Sequence, residues 1–86
     1  MSINDTVLDQ LVKISGTEDV RTNPDVSLFD EGFLDSLGLL ELIVSLGEIF
    51  NIDLSPSQVG RDTWATPRKI IEDINKRLEA FPDAKS

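Results

Sequence analysis

The 86 residues include no cysteine and no histidine, so the side chains able to do covalent chemistry reduce to hydroxyls, lysines and carboxylates. This excludes a chain-borne thiol nucleophile, a disulfide framework, a Cys/His zinc site and a Ser/His/Asp triad. One hydroxyl stands out by its placement. In Gly32-Phe33-Leu34-Asp35-Ser36-Leu37-Gly38 an acidic loop delivers Ser36 to the start of a strongly apolar stretch, directly after Asp35. Aspartate is a good N-cap, so Ser36 is expected among unpaired backbone N–H groups at the positive end of a helix dipole. A phosphate ester on that hydroxyl would be stabilised by its surroundings. A helix-start serine is also commonplace, with a hydroxyl of no consequence. Its company raises Ser36 above that: an acidic loop, a capping Asp35, Leu37 at once after it, and a helix with a spare apolar face.

Other constellations carry less. The adjacent acids Asp30 and Glu31 have no fixed separation in a loop, the EF-hand ligand spacing is absent, and no metal site is expected. The glycines form neither GxGxxG nor a Walker A loop, so nucleotide binding is unsupported. A nucleophile–base pair could come only from serine, lysine and carboxylates, so an enzyme is a distant reading. Chemistry, if it occurs, must be brought by something added to the chain.

Charge narrows the partners. Of a formal net charge of −8, most lies in the middle: Glu18, Asp19, Asp25, Asp30, Glu31, Asp35, Glu41, Glu48 and Asp53 face Arg21 alone. Such a segment repels phosphate backbones and anionic lipid, which excludes nucleic acid and membrane surface, and suits a basic protein patch. A solvated surface that aids solubility is the alternative reading of the same acids. With no signal peptide and no apolar span of about 18 residues, a cytoplasmic location and no membrane insertion are expected.

The elements that must position Ser36 follow from periodicity. Apolar content of 40% in 86 residues supports one small core, and the expected fold is all-α: three main helices plus one short helix, with a long loop between the first two. Val7, Leu8, Leu11 and Ile14 place the first helix at about Asn4–Ile14, stopped by Gly16. The loop from Thr17 to Asp35 carries the turn signals Asn23-Pro24-Asp25 and Asp30-Glu31-Gly32, and Val26, Leu28, Phe29, Phe33 and Leu34 are expected to anchor it. The second main helix is expected over Ser36 to about Phe50, and a short helical turn over Ser55-Pro56-Ser57-Gln58-Val59. Thr66 as N-cap and Pro67 at the first position open the last helix, with Ile70, Ile71, Ile74, Leu78 and Phe81 as its core stripe. Trp64 reads as a packing anchor for that start rather than a binding residue. The domain is expected over residues 1–81, with 82–86 as a frayed tail.

The helix after Ser36 is apolar on two sides. Leu39, Leu42, Ile43, Leu46, Ile49 and Phe50 share one wide face, expected as core. Leu37, Leu40 and Val44 lie roughly 120–180° from its centre, beside Glu41 and Glu48, where a surface helix should be polar. Either the helix is buried all round or the second stripe is an exposed docking face.

Taken together, Leu34-Asp35-Ser36-Leu37, the run Leu40-Glu41-Leu42-Ile43 and the ending Glu48-Ile49-Phe50 resemble the phosphopantetheine-dependent carrier proteins, over almost the whole chain in element order and length. The resemblance implies that Ser36 is esterified by 4′-phosphopantetheine, a covalent cofactor whose thiol holds an acyl or aminoacyl group as a thioester. It implies a phosphoprotein that is a substrate of other enzymes and no enzyme itself. Asp35 then marks the site, and Leu37, Leu40, Glu41, Val44 and Glu48 form the partner-docking surface. Asn23-Pro24-Asp25, Leu28-Phe29-Asp30-Glu31-Gly32 and above all Arg61-Asp62-Thr63-Trp64-Ala65-Thr66-Pro67 are most similar to the branch that carries D-alanine for teichoic acid D-alanylation in cell wall biogenesis. The chain departs from that branch at Gln58-Val59-Gly60, usually Glu-Phe-Asp, and at Leu39-Leu40, commonly Thr-Val.

The partners this resemblance implies are a phosphopantetheinyl transferase, an adenylate-forming D-alanine ligase and a downstream acyltransferase, serving a monomer whose small polar cargo stays in solvent. A discrete acyl or peptidyl carrier of fatty-acid, polyketide or nonribosomal peptide synthesis is the alternative within the family. A helical protein-interaction adaptor without a prosthetic group is the alternative of another class.

Overall fold

The computed structural model describes residues 2–55, 57 and 59–80, and among them the regular structure is entirely helical. Four helices follow in chain order: α1 (Ile3–Ser15), α2 (Asp19–Thr22), α3 (Ser36–Phe50) and α4 (Pro67–Ala80). α1 packs against each of the other three.

Local signals account for the helix ends. The Ser2 hydroxyl accepts a hydrogen bond from the Asp5 N–H at 3.1 Å, so α1 begins one residue before the periodicity suggests. Gly16 ends it in the left-handed region (φ 77°), its N–H donating to the Val12 carbonyl. Asn51 does the same for α3 at φ 55°, its N–H donating to the Gly47 carbonyl. Thr66 caps α4 as expected, its hydroxyl accepting from the Lys69 N–H at 3.2 Å, with Pro67 at the first position.

The core gathers Val7 and Leu11 of α1, Val20 of α2, Leu42, Ile43 and Leu46 of α3, and Ile70 and Ile74 of α4. The loops contribute Leu28, Leu34, Val59 and Trp64. Val26, Phe29 and Phe33 pack half-buried against this cluster, so the expected anchoring of the long loop is present. Ile71 and Leu78 are half-buried on α4, while Phe81 and the tail 82–86 lie outside the described residues.

Two expectations are corrected. The short helix within the described residues is α2, inside the segment read as an unbroken loop. Thr17 opens it by accepting the Asp19 N–H at 3.2 Å, and Val20 ties it to the core. The turn expected over Ser55–Val59 shows no helix at its described residues Ser55, Ser57 and Val59, and Pro56 and Gln58 lie outside the description. The second correction is Ile49, which is 46% exposed and not core. It borders an open surface hollow with Thr6, Asp9, Gln10, Val12, Lys13 and Arg21, where α1 and α2 leave its side chain only partly covered.

Candidate functional site

Ser36 sits exposed at the first position of α3. Asp35 adopts the extended backbone of an N-cap and its Oδ1 accepts the Gly38 N–H at 2.7 Å, while its carbonyl accepts the Leu39 N–H at 2.8 Å. Helix geometry leaves the N–H groups of Ser36 and Leu37, the first two of α3, without a carbonyl partner inside the helix. Gly38 is buried here because the cap is tightly seated. A methyl group on it would meet Leu34 Cδ1 at 3.0 Å, Ile14 Cγ2 at 3.2 Å and Asp35 Oδ1 at 3.3 Å.

The loop before Ser36 is folded on itself. The Leu28 carbonyl accepts from both the Phe33 and Leu34 N–H groups, at 2.9 and 3.1 Å, and Gly32 turns the chain at φ 76°. This loop is clipped to the one before α4. The Leu28 N–H donates to the Ala65 carbonyl at 2.9 Å, and the Arg68 N–H donates to the Pro24 carbonyl at 2.9 Å. The Arg68 side chain forks onto Asp25 at 2.7 and 3.3 Å. Those hydrogen bonds hold the Asp25 carboxyl below its usual range, and Asp25 in turn raises Arg68 above its own.

The second loop brings a residue to Ser36 that sequence reasoning passed over. Arg61 Nη2 donates to Ser36 Oγ at 2.9 Å, and the guanidinium lies over the Phe29 ring at 5.0 Å from its centroid. Trp64 holds this turn from below. It is fully buried, its N–H closes the turn onto the Gly60 carbonyl at 3.1 Å, and its indole Nε1 donates to Asp73 Oδ2 at 2.7 Å. The same oxygen accepts from Arg77 Nε at 3.0 Å. Trp64 is therefore the packing anchor its sequence context suggests, and its influence on the site runs through the turn it fixes.

Chemically, arginine is a donor only, so it does not deprotonate the hydroxyl it touches. Among the described residues no carboxylate accepts a hydrogen bond from Ser36 Oγ, so none of them is placed there as a general base. The hydroxyl is thus a good place to receive a group and a poor one from which to start a reaction.

Beyond Ser36 the second apolar stripe of α3 is exposed: Leu37 65%, Leu40 45% and Val44 53%. Leu40, Glu41, Val44 and Ser45 line a shallow hollow, and Glu48 continues the acidic edge. The opposite face buries Leu42, Ile43 and Leu46, with Leu39 and Phe50 half-buried. Of the two readings of this helix, the structure selects the exposed stripe.

Sequence comparison finds one family and a set of named proteins to which the chain is similar. The family described as "Phosphopantetheine attachment site" matches residues 5–74. The chain is 46% identical over 80 residues to the D-alanyl carrier protein of Streptococcus equi subsp. zooepidemicus, covering 93% of this chain and 100% of that one. It is 40% identical over 74 residues to the D-alanyl carrier protein of Enterococcus faecalis, covering 86% and 95%. With that of Bacillus licheniformis it shares 38% over 76 residues, covering 88% and 97%.

Proposed function

The chain belongs to the phosphopantetheine attachment-site family, and from that membership we propose that it carries D-alanine for teichoic acid D-alanylation, on 4′-phosphopantetheine attached to Ser36. It is a carrier and not an enzyme, acting as the substrate of its partners. The single observation that carries the attachment point is the exposed Ser36 hydroxyl at the capped start of α3. The residues around it fit an anionic ester: an arginine donor rests on the oxygen, the oxygen stands at the positive end of the α3 dipole, and the carboxylate of the preceding Asp35 is engaged in its cap. When bound, the group supplies the thiol that a chain without cysteine lacks.

The chain's own residues do three things. Asp35 fixes the first turn so that the attachment oxygen faces outward from a stiff helix end. Leu37, Leu40 and Val44 give partners an apolar contact, and Glu41 and Glu48 steer basic surfaces towards it. The partners of this reading are a phosphopantetheinyl transferase, an adenylate-forming D-alanine ligase and a downstream acyltransferase. Among the described residues no helix is long and apolar enough to cross a membrane, and the reading puts a single carrier domain, residues 1–81, in the cytoplasm.

The test is mass spectrometry after coexpression with a phosphopantetheinyl transferase. The parent should gain one phosphopantetheine, and Ser36→Ala should fold equally well and gain none. Attachment persisting in Ser36→Ala would refute the site, and no attachment to the parent would favour the adaptor. Offering the loaded protein D-alanine, other amino acids and fatty acids, with ATP and the cognate ligase, separates a D-alanyl carrier from other acyl or peptidyl carriers.

A further inference from the structure

We propose that Arg61 is the positioning residue for the phosphodiester that modification places on Ser36, holding the root of the arm against the Phe29 side of the α3 start. The inference rests on Ser36 being the attachment site. Its own support is the way the arginines are partnered. The sequence holds four of them. Arg21 pairs with Asp9 and Glu18, Arg68 with Asp25, and Arg77 with Asp73. Arg61 alone has no carboxylate at ion-pair distance among the described residues, although acids outnumber cations two to one along the chain. Its contacts are the Ser36 hydroxyl and an aromatic face. A guanidinium kept clear of carboxylates and laid on a neutral acceptor in so acidic a protein is poised for a stronger acceptor that arrives later.

Geometry and chemistry agree on what that acceptor is. In an ester at Ser36 Oγ the phosphorus bonds to the atom that Arg61 Nη2 already touches at 2.9 Å, so the non-bridging oxygens come within reach of the same planar fork. Those oxygens carry charge, and charge-assisted hydrogen bonds are about twice as strong as neutral ones. The new negative charge also falls beside Asp35, where Arg61 offsets it. Ordering costs are low because the side chain is already stacked on Phe29 and its turn is fixed by buried Trp64. Lysine at this position would keep the charge and lose the fork and the stacking.

The experiment follows side-chain 15N–H signals of arginine in the full chain before and after loading, together with the 31P resonance of the loaded protein. Mass spectrometry first establishes that one phosphopantetheine is on Ser36. The Arg61 Nε–H signal should then shift on loading while those of Arg21 and Arg77 stay in place. The 31P resonance of Arg61→Gln should move from the parent position towards that of a free phosphodiester, with Arg61→Lys between them and Lys69→Gln, a surface charge control, at the parent value. An Arg61 signal unmoved by loading, or a 31P resonance identical in parent and Arg61→Gln, overturns the proposal. The signal of the parent needs no variant, so it decides the matter even if a substitution disturbs the fold. If mass spectrometry shows no group on Ser36, the attachment reading has failed and the positioning role falls with it.

Discussion

Replacing the exposed stripe of α3 by charge separates docking from folding. Full burial of a leucine or valine side chain contributes about 1.5–3 kcal/mol. Leu40 is 45% and Val44 53% exposed, so only about half of that is at stake in either position. In Leu40→Lys and Val44→Lys the lysine stem covers much of the same surface while its ammonium stays in water, and most of that half is retained. Val44→Lys also stands three residues after Glu41 and four before Glu48, pairs worth about 0.2–0.5 kcal/mol each on a helix surface. Both variants should therefore stay within about 0.5 kcal/mol of the parent. Leu46→Lys is the control on the other face, where the side chain is fully buried. An uncompensated charge there costs several kcal/mol, a large part of the roughly 5–10 kcal/mol available to a domain of this size, and the fold should be lost. Urea unfolding read by the fluorescence of Trp64, the single tryptophan and a buried one, gives the stabilities. Aminoacylation of the loaded protein by its ligase gives the function, and kcat/KM should fall at least about tenfold for Leu40→Lys or Val44→Lys. A loss above about 2 kcal/mol in both stripe variants would show that they support the core. Unchanged stability with unchanged kcat/KM would remove the stripe from docking.

Three further outcomes follow from the same geometry. Asp35→Ala should lower stability by about 1 kcal/mol through the lost Gly38 hydrogen bond, and Asp35→Asn should keep most of it, so a transferase rate that falls only in step with stability would show that the carboxylate charge is not read. Because Arg68 depresses the Asp25 pKa, the contribution of this pair is complete above the unfolded value near about 4 and disappears as pH falls through the lower folded value. The stability difference between parent and Asp25→Asn should therefore be constant from pH 7 to about 5 and vanish in stronger acid, and a difference that already shrinks between pH 7 and 5 contradicts the sign. Trp64→Phe should cost about 2–3 kcal/mol by circular dichroism, from the vacated ring volume and the Asp73 hydrogen bond it removes, and a neutral result would deny that the Gly60–Trp64 turn is anchored by the core.

What was legible in the sequence was what local interactions determine. Asp35 and its cap, the span Ser36–Phe50, the Gly16 stop and the Thr66-Pro67 start depend on residues within a turn of one another, and each appears where the sequence places it. The prominence of Ser36 was equally local, since a hydroxyl after a capping aspartate is a property of five or six consecutive residues. The stripe Leu37–Leu40–Val44 was visible as periodicity, yet whether it was hidden or open depended on how much of the chain remained to cover it, and only packing answered that. Packing also left Ile49 at the edge of a surface hollow, because a helical wheel gives direction and not how fully the neighbour in that direction covers the side chain. In α2, four residues are too short to show a period, and Val20 is held by the core more than by helix propensity. The contact between Arg61 and Ser36 spans 25 residues and exists because buried Trp64 and the Leu28–Ala65 hydrogen bond bring two loops to one helix end. No local pattern encodes such a meeting, which depends on the closing of the whole core.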